Sequence, residues 1–223
     1  MAVIVEVRVA DDPSAWSAAG FTLDGEGRVV LGTTTVRLVP VATDGGRPGV
    51  TGWTLAGLPQ PPPGGAIDGL PTEAGEPGPP AGPQAHPNGV TKVDHVVVTT
   101  PDLDRTTAAL EALGIAARRT RDAGTGPDGI ARRQRFFRLG EVVLELVGPT
   151  TPTGDGPARF WGLAHEVADL DATATLLGDA LTAPRDAVQA GRRIASLRRT
   201  AGVAVPTAFL TPDVGLGARR ADQ

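Results

Sequence analysis

The chain has 223 residues, 40% of them hydrophobic, and a formal net charge of −4 at pH 7. It contains no cysteine, which excludes a disulfide framework and thiolate chemistry. No run of about 18 apolar residues occurs, so no membrane-spanning helix is expected, and the acidic balance argues against bulk attraction to nucleic acid.

The opening MAVIVEVRVADD has an apolar stretch with no basic segment ahead of it. It therefore reads as a strand rather than a signal peptide, and with the absence of cysteine it gives a cytoplasmic expectation. VIVEVRVADDPSAWSAAGF (3–21) reads as a strand and a short helix, and GRVVLGTTTVRLVP (27–40) as two strands. Residues 1–58 are expected to form an N-terminal βαβββ-like module. Proline and glycine crowd the stretch 59–89 so densely that a linker without regular elements is expected there. Within it, Ile67 and Leu70 are placed to pin the chain to a neighbouring surface.

A repeat follows. HVVVTTPDLDRTTAALEALG (95–114) and GLAHEVADLDATATLLGDAL (162–181) each read as a strand, a DLD helix start and a helix rich in alanine and leucine. Leu103, Thr107, Leu110 and Gly114 share one helical stripe, as do Leu170, Ala174, Leu177 and Leu181. Thr100 is the expected cap of the first helix, with Pro101 in its first position, Asp102 and Asp169 in the first turns, and Gly114 as the stop. The ends match too: EVVLELVGP (141–149) against AVPTAFLTP (204–212). Two further strands fit between helix and end strand in each copy. The fold class expected is α+β, from repeated βαβββ modules at 93–150 and 158–215. These two pair within a domain spanning 90–215, and 216–223 is a tail. The N-terminal module needs a mate, and either a homodimer or docking onto the pair would supply one.

DHVVVTTPDLDRT and FRLGEVVLELVGP, with their repeat, resemble the vicinal oxygen chelate superfamily, which includes glyoxalase I, extradiol dioxygenases and bleomycin-resistance proteins. More narrowly, the chain is similar to actinobacterial glyoxalase-like domain proteins. The resemblance implies two modules curled into a half-barrel around a cavity, with a divalent metal ion held by first-strand and last-strand residues of each module. Those positions fall on His95 and Glu145 in one module and on Gly162 and Ala208 in the other, which offer no side-chain donor. In the N-terminal module they fall on Ile4 and Arg37.

Alternation along the strands puts His95, Val97 and Thr99 on one face, and Val143, Glu145 and Val147 on one face. His95 and Glu145 are thus the candidate catalytic pair and the candidate metal half-site; a metal-free hydrogen-bonded pair lining the cavity is the other reading. His165 points away from Gly162 by parity, whereas Glu166 has the right parity but lies further along the strand. His86, in HPNG, is a loop histidine that could reach the cavity. Of the 21 basic residues only Lys92 is lysine. A GC-rich coding bias explains that simply. Arg132, Arg133, Arg135, Arg138, Arg192, Arg193, Arg198 and Arg199 come in groups, so some face the cavity, where a guanidinium suits an anionic ligand. Three functions remain in view: a lyase, isomerase or dioxygenase-type enzyme on a small molecule, a metal-free sequestration protein of the bleomycin-resistance type, and a scaffold assembled through the N-terminal module.

Overall fold

The computed structural model describes residues 1–41, 46–76, 78 and 84–213. The expected tail and prolines 77, 79, 80 and 83 of the expected linker lie outside them. The first part of the chain runs β1 (Val3–Ala10), α1 (Pro13–Ala18), β2 (Arg28–Leu31), β3 (Thr34–Val39), β4 (Gly49–Ala56), β5 (Ala66–Ile67) and β6 (Leu70–Gly75). The second runs β7 (Val90–Thr99), α2 (Leu103–Glu111), β8 (Ala117–Thr125), β9 (Ala131–Leu139), β10 (Val142–Pro149), β11 (Arg159–Val167), α3 (Leu170–Leu177), β12 (Arg185–Asp186), β13 (Arg193–Ser196) and β14 (Thr207–Leu210).

The two repeated modules pair in one eight-stranded sheet, ordered β12-β13-β14-β11-β7-β10-β9-β8. Its centre is the antiparallel pair β7–β11, flanked by the parallel pairs β7–β10 and β11–β14. This is an α+β half-barrel with a pseudo-twofold axis between β7 and β11. The six-stranded sheet, ordered β2-β3-β1-β4-β6-β5, repeats the plan. Its central pair β1–β4 is antiparallel, and β3 and β6 run parallel to their central neighbours.

The linker expectation needs correction. Residues 63–65 form a 3-10 turn, and β5 and β6 extend the first sheet. The turn between them is Asp68-Gly69, both at positive φ (46° and 86°), a two-residue hairpin signal masked by the surrounding prolines. Leu70 and Thr72 point inward, and Trp53 Nε1 donates to Thr72 Oγ1 at 2.7 Å. Asp68 then receives Arg105 Nε at 2.8 Å, tying the hairpin tip to α2.

The helix caps also differ from expectation. Asp102 itself caps α2, accepting from Arg105 N at 2.9 Å, and Asp169 caps α3, accepting from Asp171 N and Ala172 N. A carboxylate satisfies these free N–H groups better than the Thr100 hydroxyl, which instead bonds Thr106 Oγ1 at 2.7 Å. Beyond α2, Gly114 has a φ of 75°, a conformation that suits glycine at a helix stop.

Both sheets contribute to one buried core, which settles the N-terminal module's need for a mate by docking. Trp53 packs edge-on against Phe160 at 5.1 Å, and Trp16 is tilted against Phe21 at 4.9 Å. Asp11 accepts from Trp16 Nε1 and from Ala204 N, joining α1 to the segment before β14. His86 belongs to this junction and not to a cavity: its Nδ1 accepts from Thr22 N at 3.1 Å, and its Nε2 lies 3.0 Å from the Val30 carbonyl.

His165 is fully buried on the inner face of β11, among Trp16, Phe21 and Phe209, and neither ring nitrogen has a partner. Burial, aided by the charges of His95 and His86, pushes its pKa from the ordinary 6.5 down to about 3. The unfolded chain therefore binds a proton that the folded chain refuses, and stability falls as pH drops from about 6.5 towards 3. His165→Leu is expected to raise stability at pH 7 by about 1 kcal/mol, by removing two unpaired polar atoms. It should also flatten the loss between pH 6.5 and 3 in urea titrations; an unchanged pH slope would count against this account.

Candidate functional site

The helix-bearing face of the eight-stranded sheet is buried against the N-terminal module, and the opposite face is open. Along β7, Val93, Val96 and Val98 are buried while His95, Val97 and Thr99 are half-exposed. Along β10, Val142, Leu144 and Leu146 are buried and Val143, Glu145 and Val147 half-exposed. His95 pairs with Val143 in register, and Glu145 with Val97. The two candidate side chains therefore meet on the open face, with His95 Nε2 3.6 Å from Glu145 Oε2. Their side chains are 20% and 16% exposed, accessible to a ligand yet partly desolvated.

Asp94 completes the group. His95 pairs with Ala164 and Val93 with His165, so Asp94 is the extra residue of a bulge. The bulge breaks the alternation that would have sent Asp94 to the other face. Its Oδ1 lies 2.7 Å from His95 Nδ1, and its Oδ2 takes Arg192 Nη2 at 2.6 Å. Burial alone would raise the Asp94 pKa, but the hydrogen bonds from His95 and Arg192 outweigh it and hold the carboxyl well below the usual carboxylate range. Asp94 is thus an anion, and it fixes a proton on His95 Nδ1. Arg192 is buried and is held in turn by the Thr211 carbonyl at 2.7 Å and by Gln189 at 3.3 Å.

On the other side, Gln134 donates to Glu145 Oε1 at 2.5 Å, and Gln134 Oε1 accepts from Arg121 Nε at 2.8 Å. That leaves Glu145 Oε2 facing the imidazole. The result is a polar row, Arg192–Asp94–His95–Glu145–Gln134–Arg121, across four strands and the loop before β13. Beyond Glu145 the face continues into a cleft of about 260 Å³ lined by Thr99, Arg132, Val147 and Arg159. Glu166 is not part of the row's centre; it pairs with Lys92 at 3.3 Å and lies 3.9 Å from Arg192.

The pseudo-twofold axis explains why the other module contributes no donor. Glu145 pairs with Val97, two residues past His95, and Ala208 pairs with Ala164, two residues past Gly162. Gly162 therefore stands where His95 does, and Ala208 where Glu145 does. A Cβ on Gly162 would sit 2.5 Å from the Pro206 carbonyl oxygen. Gly162→Ala is accordingly expected to cost about 2 kcal/mol, from the backbone shift it forces, measurable by urea denaturation; a neutral result would mean that β11 and the segment before β14 yield freely. In the N-terminal module Ile4 is buried in the core and Arg37 is exposed on β3, so neither joins a site.

These donors do not fit a resident metal ion. Among the described residues no group of three His, Cys, Asp or Glu side chains is placed to hold one. His95 and Glu145 supply two, and tight sites generally use three or more protein ligands.

The open-face residues that sequence reasoning missed are Asp94, Gln134 and the role of Arg192. Gln134 was within reach, since it shares the outward parity of β9. Asp94 was not, because a bulge has no alternation signature.

No curated protein matches the sequence. Among solved structures, methylmalonyl-CoA epimerase from Mycobacterium tuberculosis is 22% identical, over 58% of this chain and 93% of that one, with a TM-score of 0.44. Methylmalonyl-CoA epimerase from Streptomyces coelicolor, in complex with 2-nitronate-propionyl-CoA, is 23% identical over 56% and 96%, with a TM-score of 0.43. A hypothetical protein from Bacillus halodurans C-125 is 15% identical over 55% and 94%, with a TM-score of 0.41. Residues 94–195 match the profile of the Glyoxalase/Bleomycin resistance protein/Dioxygenase superfamily, a span that contains His95, Glu145 and Gly162. Over residues 94–195, a little under half of its length, the chain is thus similar to the Glyoxalase/Bleomycin resistance protein/Dioxygenase superfamily, and this segment lies within the paired-module half-barrel.

Proposed function

We propose that the open face is a metal-independent acid–base site acting on a small carbonyl compound. The observation that carries this is the Asp94–His95–Glu145 arrangement. Asp94 holds the Nδ1 proton, which leaves Nε2 as the basic atom of the neutral ring, aimed at the same spot as Glu145 Oε2. In the reaction class that fits, a C–H bond next to the carbonyl breaks. Its proton passes to His95 Nε2 and its electron pair moves onto the carbonyl oxygen as an enolate. The imidazolium so formed is stabilised by the ionised Asp94 beside it. Return of the proton to carbon, or to a neighbouring atom, gives exchange, epimerisation or isomerisation. Glu145, fixed by Gln134, is the second proton carrier on that spot.

The test is hydrogen–deuterium exchange. Butanone and 2-oxobutanoate are incubated with the protein in D2O and followed by proton NMR. Exchange above the buffer rate by the parent protein, lost on replacing His95, supports the reading. Binding of these compounds with no exchange would overturn it and leave a sequestration protein.

A further inference from the structure

The β8–β9 hairpin carries positive charge that is only partly balanced, and unpaired arginines stand on the face holding His95 and Glu145. Arg133 pairs with Asp122 at 2.8 Å, Arg135 with Asp104 at 2.6 Å, and Arg132 with Asp128 at 2.5 Å. Arg119, Arg121 and Arg138 have no carboxylate partner among the described residues, and neither has Arg118, the extra residue of a bulge opposite Phe136. Arg121 bonds only the neutral Gln134. The guanidinium groups of Arg119 and Arg138 donate to no described residue at all.

Register puts these cations beside the acid–base pair. Phe136 lies opposite Glu145 on one side and Arg119 on the other. Arg138 lies opposite Val143, which is opposite His95. Neighbouring strands are about 4.8 Å apart, so Arg138 starts about two strand spacings from His95, a gap that its long side chain can largely span. Phe136 stands between Arg119 and Glu145, with Arg119 and Arg121 held over its ring at 5.9 and 5.7 Å from the centroid. Unpaired guanidinium groups next to a partly desolvated site are suited to a planar, two-oxygen anion.

We infer that Arg119 and Arg138 bind the carboxylate of a small carbonyl acid, whose carbonyl end reaches His95 and Glu145. This names the substrate class of the site and rests on the acid–base reading for the carbonyl end only. Arg121 and Phe136 are positioning residues: they fix Arg119 and, through Gln134, Glu145.

Binding tests it without any turnover. 2-Oxobutanoate, butanone and inorganic phosphate are titrated into the protein, with backbone amide shifts as the readout. 2-Oxobutanoate should bind at least tenfold more tightly than butanone, shift amides of β8, β9 and β10, and weaken with added salt. Arg119→Gln and Arg138→Gln should each weaken it by about tenfold. Arg133→Gln, which removes a charge paired on the other side of the hairpin, should leave it within twofold. Equal affinity for butanone, no saturable binding of 2-oxobutanoate, equal losses in all three arginine variants, or a preference for phosphate would each overturn the inference. Carboxylate-selective binding without deuterium exchange would defeat the acid–base reading alone.

Discussion

Replacing His95 by alanine is expected to lower α-proton exchange by about 100- to 10,000-fold while the fold stays intact. The side chain is on the open face and packs into no core, so stability should change by about 1 kcal/mol or less. Asp94→Asn is expected to do nearly as much damage for a different reason. Arg192 needs an acceptor and takes the oxygen of the new amide. The amide NH2 is then left facing His95 Nδ1, which must accept rather than donate. The ring proton moves to Nε2, and the base is lost although every side chain stays in place. Glu145→Gln should keep the base and lose only the second proton carrier, so its effect should be smaller. Initial exchange rates for the three variants check this ranking; an Asp94→Asn variant as active as the parent would contradict it.

Arg192→Met is expected to be the most destabilising change near the site, by about 3–5 kcal/mol, because it leaves a largely buried carboxylate without its cation. The pH dependence supplies a second check. A carboxyl held below its unfolded value of 3.8 contributes stability that is present above that pH and lost as pH falls through the lower folded value. Arg192 is one of the two groups that hold Asp94 low. Without it, the component of stability lost below about pH 4 should shrink. Urea denaturation at pH 7 and near pH 3 measures both effects. A variant as stable as the parent at pH 7 would mean that Asp94 is better solvated than its position implies.

The sequence carried the architecture where periodicity is strong. Alternation along residues 95–99 and 142–147 was enough to assign His95 and Glu145 each to a face of its own strand, and the DLD repeat with the matching strand ends was enough to relate them to Gly162 and Ala208. The rest was hidden for identifiable reasons. Strict alternation assigns Asp94 to the wrong face, since only the bulge in β7 turns it outward. Arg192 comes from a loop 98 residues away in sequence, a pairing no local pattern encodes. Dense prolines concealed the β5–β6 hairpin, although its Asp-Gly turn and the inward Ile67 and Leu70 were present to be read. The first sheet's likeness to the second is legible in the strand-and-helix start of residues 3–21 and in the echo between LGTTTVRLVP (31–40) and LGEVVLELVGP (139–149).

The acid–base account depends on which ring nitrogen of His95 carries the proton. Nitrogen-15 NMR of the histidine rings, assigned with the His95→Ala variant and followed across pH, measures it directly. The account predicts that the neutral ring is protonated at Nδ1, with Nε2 showing the shift of a bare nitrogen, and that Asp94→Asn reverses the two. A neutral His95 protonated at Nε2 in the parent protein would contradict it, because no basic nitrogen would then face Glu145 and the substrate.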